Sequence, residues 1–361
     1  MSSFLLSCML FFVTINGKIL SQSKKPPLPP SPFSWPIVGN LPKVYANKPV
    51  FKWVDGVMEK LKTNIVCIRL GRVHVIVVVS PELSREFLHK HDSLFMSRSI
   101  TMATEYASQG FLTTGLSPWG EQWKKMKRIV NQELFSPTRL LWLLNKRNKE
   151  TDNLVYYIFK RCNNPDGSVI NLSLPIKHYG PNVIRKMTFS RRFFGEGGEN
   201  GGPDGPAAGA EWALAEMINQ PEILQKTVEE IDRVEGKDRW IQESDAASSR
   251  SVQFAAPVIN RHGSGFVSKG SHVLLSRIGL GRNPETWEEP LKYNPERHLG
   301  GNVSKVDLSE PNLRFSTFST GKHACTGQSV GALLTIMALG NLIQGFTWSL
   351  PTNKEKIDLS T

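Results

Sequence analysis

The stretch that decides the fold reads FSTGKHACTG, residues 318–327, and runs directly into an apolar segment, residues 328–344. It places one cysteine, Cys325, between two glycines, Gly321 and Gly327. Glycine lets the backbone approach a bulky flat group closely and adopt turns with positive φ. A cysteine at the start of a helix faces free backbone N–H groups, which favour the thiolate over the thiol. The pattern therefore indicates either a metal-ligating thiolate or an inert buried cysteine, and by itself it leaves both open.

The composition narrows the class of protein around this stretch. The chain has 361 residues, of which 40% are hydrophobic and 21% charged, so it can bury a sizeable core and is not a disordered chain. Its four cysteines, at positions 8, 67, 162 and 325, are too widely spread for a disulfide scaffold or a zinc cluster.

The positive charge is concentrated in one part of the chain. The net charge is +12, and residues 119–192 contain 15 Lys and Arg against 5 Asp and Glu. A basic region of this kind suits nucleic acid, an anionic lipid surface or an acidic protein partner, or is simply a solvated helical surface.

The N-terminus combines an apolar run with a proline-rich connector. Residues 4–15 are apolar and Lys24 and Lys25 follow them, which is typical of a membrane anchor, residues 1–22, or of a cleaved signal peptide. The proline-rich residues 26–32 lie in a stiff hinge, residues 23–42, because proline fixes φ and removes a backbone donor. A ligand for a proline-binding module is the alternative interpretation of this segment.

Hydrophobic periodicity predicts a mainly helical body with a small β region. Two β-rich runs, 64–70 and 73–79, are expected to form a hairpin across Gly71 and Arg72. Ser80 and Pro81 are typical of the start of a helix that ends near residue 91. Further helices are predicted at residues 51–62, 118–135, 137–162, 211–219, 222–234 and 328–344, the last one buried.

Four motifs in order along the chain resemble those of cytochrome P450 monooxygenases. The pattern from Phe318 through Gly321 and Cys325 to Gly327 resembles that family's haem-binding loop, with His323 where the family has Arg. Trp123 and Lys127 resemble its Trp-x-x-x-Arg helix motif, with Lys in place of Arg, and residues 293–297, ending at Arg297, resemble its Pro-Glu-Arg loop. The proline-rich hinge resembles the segment after the family's membrane anchor.

The resemblance implies a role for each of these residues. Cys325 would be the axial ligand of the iron of haem b, in the loop that contains Phe318, Gly321 and Gly327. Trp123, Lys127 and His323 would bind the haem propionates, although Lys lacks the bidentate fork of Arg and His is shorter and mostly neutral. Arg297 would have a structural role.

Several segments resemble, more narrowly, the plant branch of the family that N-hydroxylates amino acids. They are residues 101–108, 110–114, 178–187, 212–221 and 318–321. The resemblance implies two N-hydroxylations of an α-amino acid, with loss of carboxylate and water, to give an aldoxime for defence compounds such as cyanogenic glucosides or glucosinolates. Residues 98–115 would help to line the substrate pocket. Electrons would come from NADPH through a reductase that docks on the basic region, at the cytosolic face of the endoplasmic reticulum membrane, and no nucleic acid is implied.

The chain departs from the family by being incomplete within its single domain, residues 43–361. Gaps are predicted near residues 205–211, where part of the central helix is missing, and near 246–265, where the helix that carries Glu-x-x-Arg is missing. Arg297 is therefore expected to lack its usual carboxylate partner. The alternative to an active enzyme is an inactive remnant or a faulty gene model of one.

Overall fold

The computed structural model describes residues 27–163, 169–192, 208–236, 238–245, 270–298, 313, 317–351 and 353–359. The predicted anchor, residues 1–22, and the predicted gap at 246–265 lie outside the described residues, as does the first part of the gap at 205–211. Within the part of the chain that is described, none of the helices combines the length and apolar composition that crossing a bilayer requires.

The N-terminal part of the body forms a small sheet beside two helices. Its elements are α1, Leu41–Ala46; α2, Val50–Leu61; β1, Ile65–Leu70; and β2, Val73–Val78. The predicted hairpin is confirmed, since β1 and β2 pair antiparallel with Leu70 opposite Val73, and Gly71 adopts a φ of +61° in the turn. A third strand, β3, His272–Leu275, was not predicted and pairs parallel with β2.

The next part of the chain contains short helices around one longer one. Its elements are α3, Pro81–Arg85; α4, Asp92–Phe95; α5, Met102–Ala107; and α6, Glu121–Ile129. The predicted cap is confirmed, because the Ser80 hydroxyl accepts the N–H of Leu83. Both α3 and α6 continue into one wider π-helical turn, Glu86–Lys90 and Val130–Leu134 respectively.

The remaining helices build the main core. They are α7, Pro137–Trp142; α8, Leu144–Cys162; α9, Ser173–Phe189; α10, Ala208–Asn219; α11, Pro221–Glu235; α12, Arg277–Gly281; and α13, Gln328–Gly345. A single helix over 137–162 was a wrong prediction, since the structure has two helices, α7 and α8, that are divided at Leu143, whose side chain is buried in the core. The buried apolar helix at the C-terminus is confirmed as α13, which packs against α8, α9, α10 and α11.

Candidate functional site

A cavity of 1070 Å³ lies where α6, β3 and the end of α3 meet residues 317–326. Its wall includes four of the residues singled out in the sequence, namely Trp123, Lys127, Phe318 and Cys325. The fold therefore brings together a helix motif and a cysteine loop that are far apart along the chain. Gly321, Gly327 and Arg297 do not line this cavity, and the side chain of His323 lies outside the described part of the structure.

The cysteine loop is a tight turn closed by its own backbone. The Cys325 N–H donates to the Phe318 carbonyl at 2.8 Å, and the Ala324 N–H donates to the Gly321 carbonyl at 3.2 Å. Gly321 has a φ of +61°, and a Cβ there would lie 2.9 Å from the Leu88 carbonyl oxygen, so this position requires glycine. The turn leaves the Cys325 side chain exposed just before α13 begins.

The second glycine, Gly327, lies beside the Phe135 ring and close to the thiol. A Cβ on Gly327 would lie 3.4 Å from the Phe135 ring and 3.9 Å from the Cys325 Sγ. Gly327 also opens α13, because its carbonyl accepts the N–H of Gly331 at 2.7 Å. Both glycines thus shape the loop, although neither lines the cavity.

Lys127 places a positive charge on the cavity wall near the thiol. Its ammonium lies 4.7 Å from the centre of the Trp123 ring and donates to the Lys322 carbonyl at 3.5 Å. Burial lowers the pKa of Lys127, whereas the charge of Cys325 raises it and the charge of Arg98 lowers it. Lys127 and Cys325 therefore line the same cavity.

Further basic residues on this wall were not singled out in the sequence. Arg98, His272, Arg277 and Lys322 all line the cavity. Arg98 belongs to the loop predicted to line a pocket, residues 98–115, of which Ser99, Ile100, Thr114 and Gly115 also line it. The run of Lys322 and His323 inside the quoted motif is a signal that could have identified Lys322. His272 lies on β3, a strand that local periodicity did not predict.

The residues present fit a flat apolar group that carries carboxylates and an iron atom. A thiol lies on one wall, cations lie around it, and the rest of the wall is largely apolar or aromatic, including Phe87, Val273 and Leu275. Among the described residues, no group of three or more His, Cys, Asp and Glu could hold a bare metal ion. The arrangement is that expected for a haem held through a cysteine and through its propionates.

Arg297 lies apart from the cavity and holds its own loop. Its guanidinium lies 5.2 Å from the Trp287 ring centre and donates to the carbonyls of Glu289 at 3.2 Å and Lys292 at 2.9 Å. Burial lowers the pKa of Arg297, while the charge of Glu289 raises it. In the described part of the chain, carbonyl oxygens and an indole ring thus contact a guanidinium that was expected to lack its carboxylate.

Comparison with known proteins gives a family match that covers most of the chain. The family model described as Cytochrome P450 matches residues 29–200 and 262–361. Residues 201–261 separate the two matched parts.

Individual relatives match over nearly the whole chain. A tryptophan N-monooxygenase of Prunus mume is 37% identical over 481 positions, which cover 97% of this chain and 90% of the relative. A phenylalanine N-monooxygenase of Arabidopsis thaliana is 36% identical over 100% of this chain and 94% of the relative. A tyrosine N-monooxygenase of Sorghum bicolor is 34% identical over 99% of this chain and 91% of the relative. Because 481 aligned positions exceed the 361 residues of this chain, parts of the relative have no counterpart here.

Proposed function

The chain belongs to the cytochrome P450 family, and on that premise we propose that Cys325 is the thiolate ligand of a haem b iron. The observation that carries this proposal is the exposed Cys325 side chain on a cavity wall that also contains Trp123 and Lys127. When bound, the haem iron supplies O₂ activation, and electron donation from the thiolate favours cleavage of the O–O bond. The protein residues then have to bind the haem, orient it and hold its charges.

The haem propionates are assigned to the cationic side of the cavity. Lys127 and the indole N–H of Trp123 are the donors from α6, and His323 is the donor from the loop. Lys127 acts as a point charge rather than as a bidentate fork, so it holds a carboxylate with less geometric definition than Arg does. Arg98 and Lys322 line the same cavity and are two further cations for the same carboxylates. Phe318 contributes aromatic surface for the flat ring.

The reaction is proposed to be N-hydroxylation of an α-amino acid. Two N-hydroxylations, with loss of carboxylate and water, convert the amino acid into its aldoxime, which feeds defence compounds such as cyanogenic glucosides or glucosinolates. The names of the three relatives support this class of substrate, since each is an N-monooxygenase of one aromatic amino acid. Residues of the 98–115 loop that line the cavity are the candidates for contacts with the substrate.

The electrons are proposed to come from NADPH through a reductase. P450 monooxygenases require a redox partner, and the exposed face of α6 carries Lys124, Lys125 and Arg128. These cations lie on the helix that also supplies Trp123 and Lys127 to the cavity, and they suit an acidic partner surface. Residues 1–22 are proposed as an anchor in the endoplasmic reticulum membrane and residues 23–42 as the hinge, with the body on the cytosolic face.

A second candidate is an inactive remnant of such an enzyme. The family match is interrupted at residues 201–261 and the chain is shorter than the alignment to its relatives, which is consistent with truncation but is not specific to an inactive chain. Loss of part of the central helix would remove groups that deliver protons to oxygen. Loss of the Glu-x-x-Arg helix would remove the carboxylate partner of Arg297.

The carbon monoxide difference spectrum of the reduced full-length chain tests the proposal. A strongly red-shifted Soret band is expected for the wild-type chain and for Cys162→Ser, which changes another exposed cysteine. Cys325→Ser is expected to lose the band. A red-shifted band in Cys325→Ser would overturn the ligand assignment, and its absence from the correctly expressed wild-type chain would favour the inactive remnant.

The reaction is tested separately by turnover. The reductase-supplemented chain is given NADPH and each of the twenty amino acids in turn, beginning with tryptophan, phenylalanine and tyrosine, and the aldoximes are measured by mass spectrometry. At least one aldoxime is expected from the wild-type chain and none from Cys325→Ser. A chain that gives the red-shifted band but forms no aldoxime from any of the twenty amino acids would refute the proposed reaction while keeping the haem site.

A further inference from the structure

The cysteine loop is held from outside by one half-buried ion pair. Asp92 is the first residue of α4, and its Oδ2 lies 3.5 Å from the Nζ of Lys322, three residues before Cys325. The Asp92 side chain is 19% exposed and the Lys322 side chain 35% exposed, so water reaches the carboxylate less than the ammonium. Among the described residues, the Asp92 Oδ1 is buried without a hydrogen-bond partner. A carboxylate in this environment depends on its neighbouring cation, because a buried unpaired charge is destabilising.

Lys322 contacts α6 and the residue Trp119 just before it, in addition to Asp92 on α4. Its ammonium lies 5.3 Å from the centre of the Trp119 ring, and the Trp119 ring lies 4.6 Å from that of Trp123 on α6. The Lys322 carbonyl accepts from the Lys127 ammonium at 3.5 Å. The backbone and the side chain of this one residue thus connect the loop to α4 and to α6.

The backbone of Gly321, next to Lys322, also packs against the region around Asp92, and this contact involves no charge. Gly321 packs so closely against α3 and α4 that a Cβ there would lie 2.9 Å from the Leu88 carbonyl oxygen and 3.7 Å from the Asp92 carboxylate. Close packing of Gly321 therefore holds the loop against the Asp92 region, and the ion pair of Lys322 lies next to that contact. Without the Lys322 side chain, the Asp92 carboxylate would have no ion-pair partner among the described residues.

We propose that Asp92 and Lys322 form a clasp that keeps residues 318–325 in the turn presenting Cys325 to the cavity. Both are positioning residues, since they act on the thiol through the loop. The purpose of the clasp rests on the proposed function, because a fixed thiol position matters for a haem ligand. Its existence is a property of the haem-free chain and is tested there.

Hydrogen exchange of the full-length haem-free chain, followed by mass spectrometry, measures opening of the loop. The readout is the peptide that covers residues 318–327, in which the Cys325 N–H is protected by the Phe318 carbonyl. Asp92→Asn and Lys322→Met are each expected to speed exchange of this peptide about fivefold, the ratio given by loss of a partly buried ion pair. Lys322→Arg, which keeps the cation, is expected to retain most of the protection.

A matched control and a double variant make the result specific. Lys124→Met removes another ammonium that lies over Trp119, at 5.8 Å, but contacts Glu121 instead of the loop, so it is expected to leave loop exchange unchanged. The double variant Asp92→Asn with Lys322→Met is expected to exchange no faster than either single variant, because two partners of one pair are not additive. The peptide that covers α13 serves as the internal measure of global unfolding.

Each outcome separates the clasp from the proposed function. Additive effects in the double variant, or loop exchange that matches wild type in both single variants, would overturn the clasp even if the wild-type chain binds haem. The expected exchange pattern in a chain that gives no carbon monoxide band would establish the clasp and refute haem binding.

Discussion

The helical core and the cysteine cavity both contain charged side chains, but they satisfy them in different ways. In the core, Arg147 donates through Nε and Nη2 to both carboxylate oxygens of Glu243 at 2.6 Å. Glu150, whose side chain is 1% exposed, contacts Lys186 at 2.7 Å and Arg192 at 3.1 Å. In the cavity, Arg98 and Lys127 line an open space.

This difference separates residues that the fold needs from residues that a ligand needs. A charge taken out of water is destabilising unless a partner of opposite sign compensates it. The core carboxylates and cations compensate each other within the chain, so their loss should lower stability. Among the described residues, no carboxylate forms an ion pair with Arg98 or Lys127, so loss of either cation should affect binding of an anionic group and leave folding nearly unchanged.

The largest expected effect follows from breaking the buried pair between α8 and the segment after α11. Arg147→Met leaves the Glu243 carboxylate, which is 12% exposed, without its cation. We expect the free energy of unfolding, measured by urea denaturation, to fall by about 3–5 kcal/mol. Arg147→Met combined with Glu243→Leu removes both charges and should recover most of that loss. If the double variant is as unstable as the single one, the ion pair is not what stabilises this region.

A smaller effect is expected from an apolar truncation in each region. Leu334 on α13 is 1% exposed, whereas Leu94 beside the cavity is 76% exposed. Leu334→Ala is expected to lower the free energy of unfolding by about 2–5 kcal/mol, because it leaves a void in a packed core. Leu94→Ala should change it by less than about 0.5 kcal/mol. Equal urea midpoints for the two variants would contradict the division between core and cavity.

The smallest effects come from two lysines that are matched in type but differ in their partners. Lys186→Met removes one of two cations from buried Glu150 and should lower the free energy of unfolding by about 1–3 kcal/mol. Lys127→Met should change it by less than about 0.5 kcal/mol, because, among the described residues, Lys127 has only a cation–π contact with Trp123 and a long hydrogen bond to the Lys322 carbonyl, and burial lowers its pKa.

Haem titration of these two variants sharpens the comparison. Lys127→Met is expected to bind haem more weakly than the wild-type chain, whereas Lys186→Met should bind it normally wherever it is folded. A Lys127→Met chain that is as destabilised as Lys186→Met would place Lys127 among the residues that the fold needs.

Local sequence signals predicted the elements that carry the candidate site. Trp123 and Lys127 are four residues apart, so they lie on one face of α6 whatever the rest of the chain does. Two β-rich runs on either side of Gly71 predicted the hairpin, and Ser80 with Pro81 predicted the start of α3. The turn before α13 needs glycine at position 321, and that requirement is visible in the quoted stretch.

Other elements could not be predicted because packing outweighs local preference. The helix α9 contains Pro181, which removes one hydrogen bond from the helix interior and argues against a helix there. Burial of Ile176, Tyr179, Val183 and Met187 along one side of α9 compensates for that loss. The strand β3 has four residues, too few for periodicity to identify, and it exists through its pairing with β2.

The sequence by itself determined the hairpin, the face of α6 that carries Trp123 and Lys127, and the glycine-flanked turn at Cys325, because neighbouring residues set each of these through backbone geometry. Only the tertiary structure decided that α6 and the Cys325 loop share one cavity, that Asp92 meets Lys322 and that Arg147 meets Glu243. Such contacts join residues far apart in the chain, and their formation depends on how every intervening element packs. Spacing along the chain therefore predicts which residues share one element, and packing decides which elements meet.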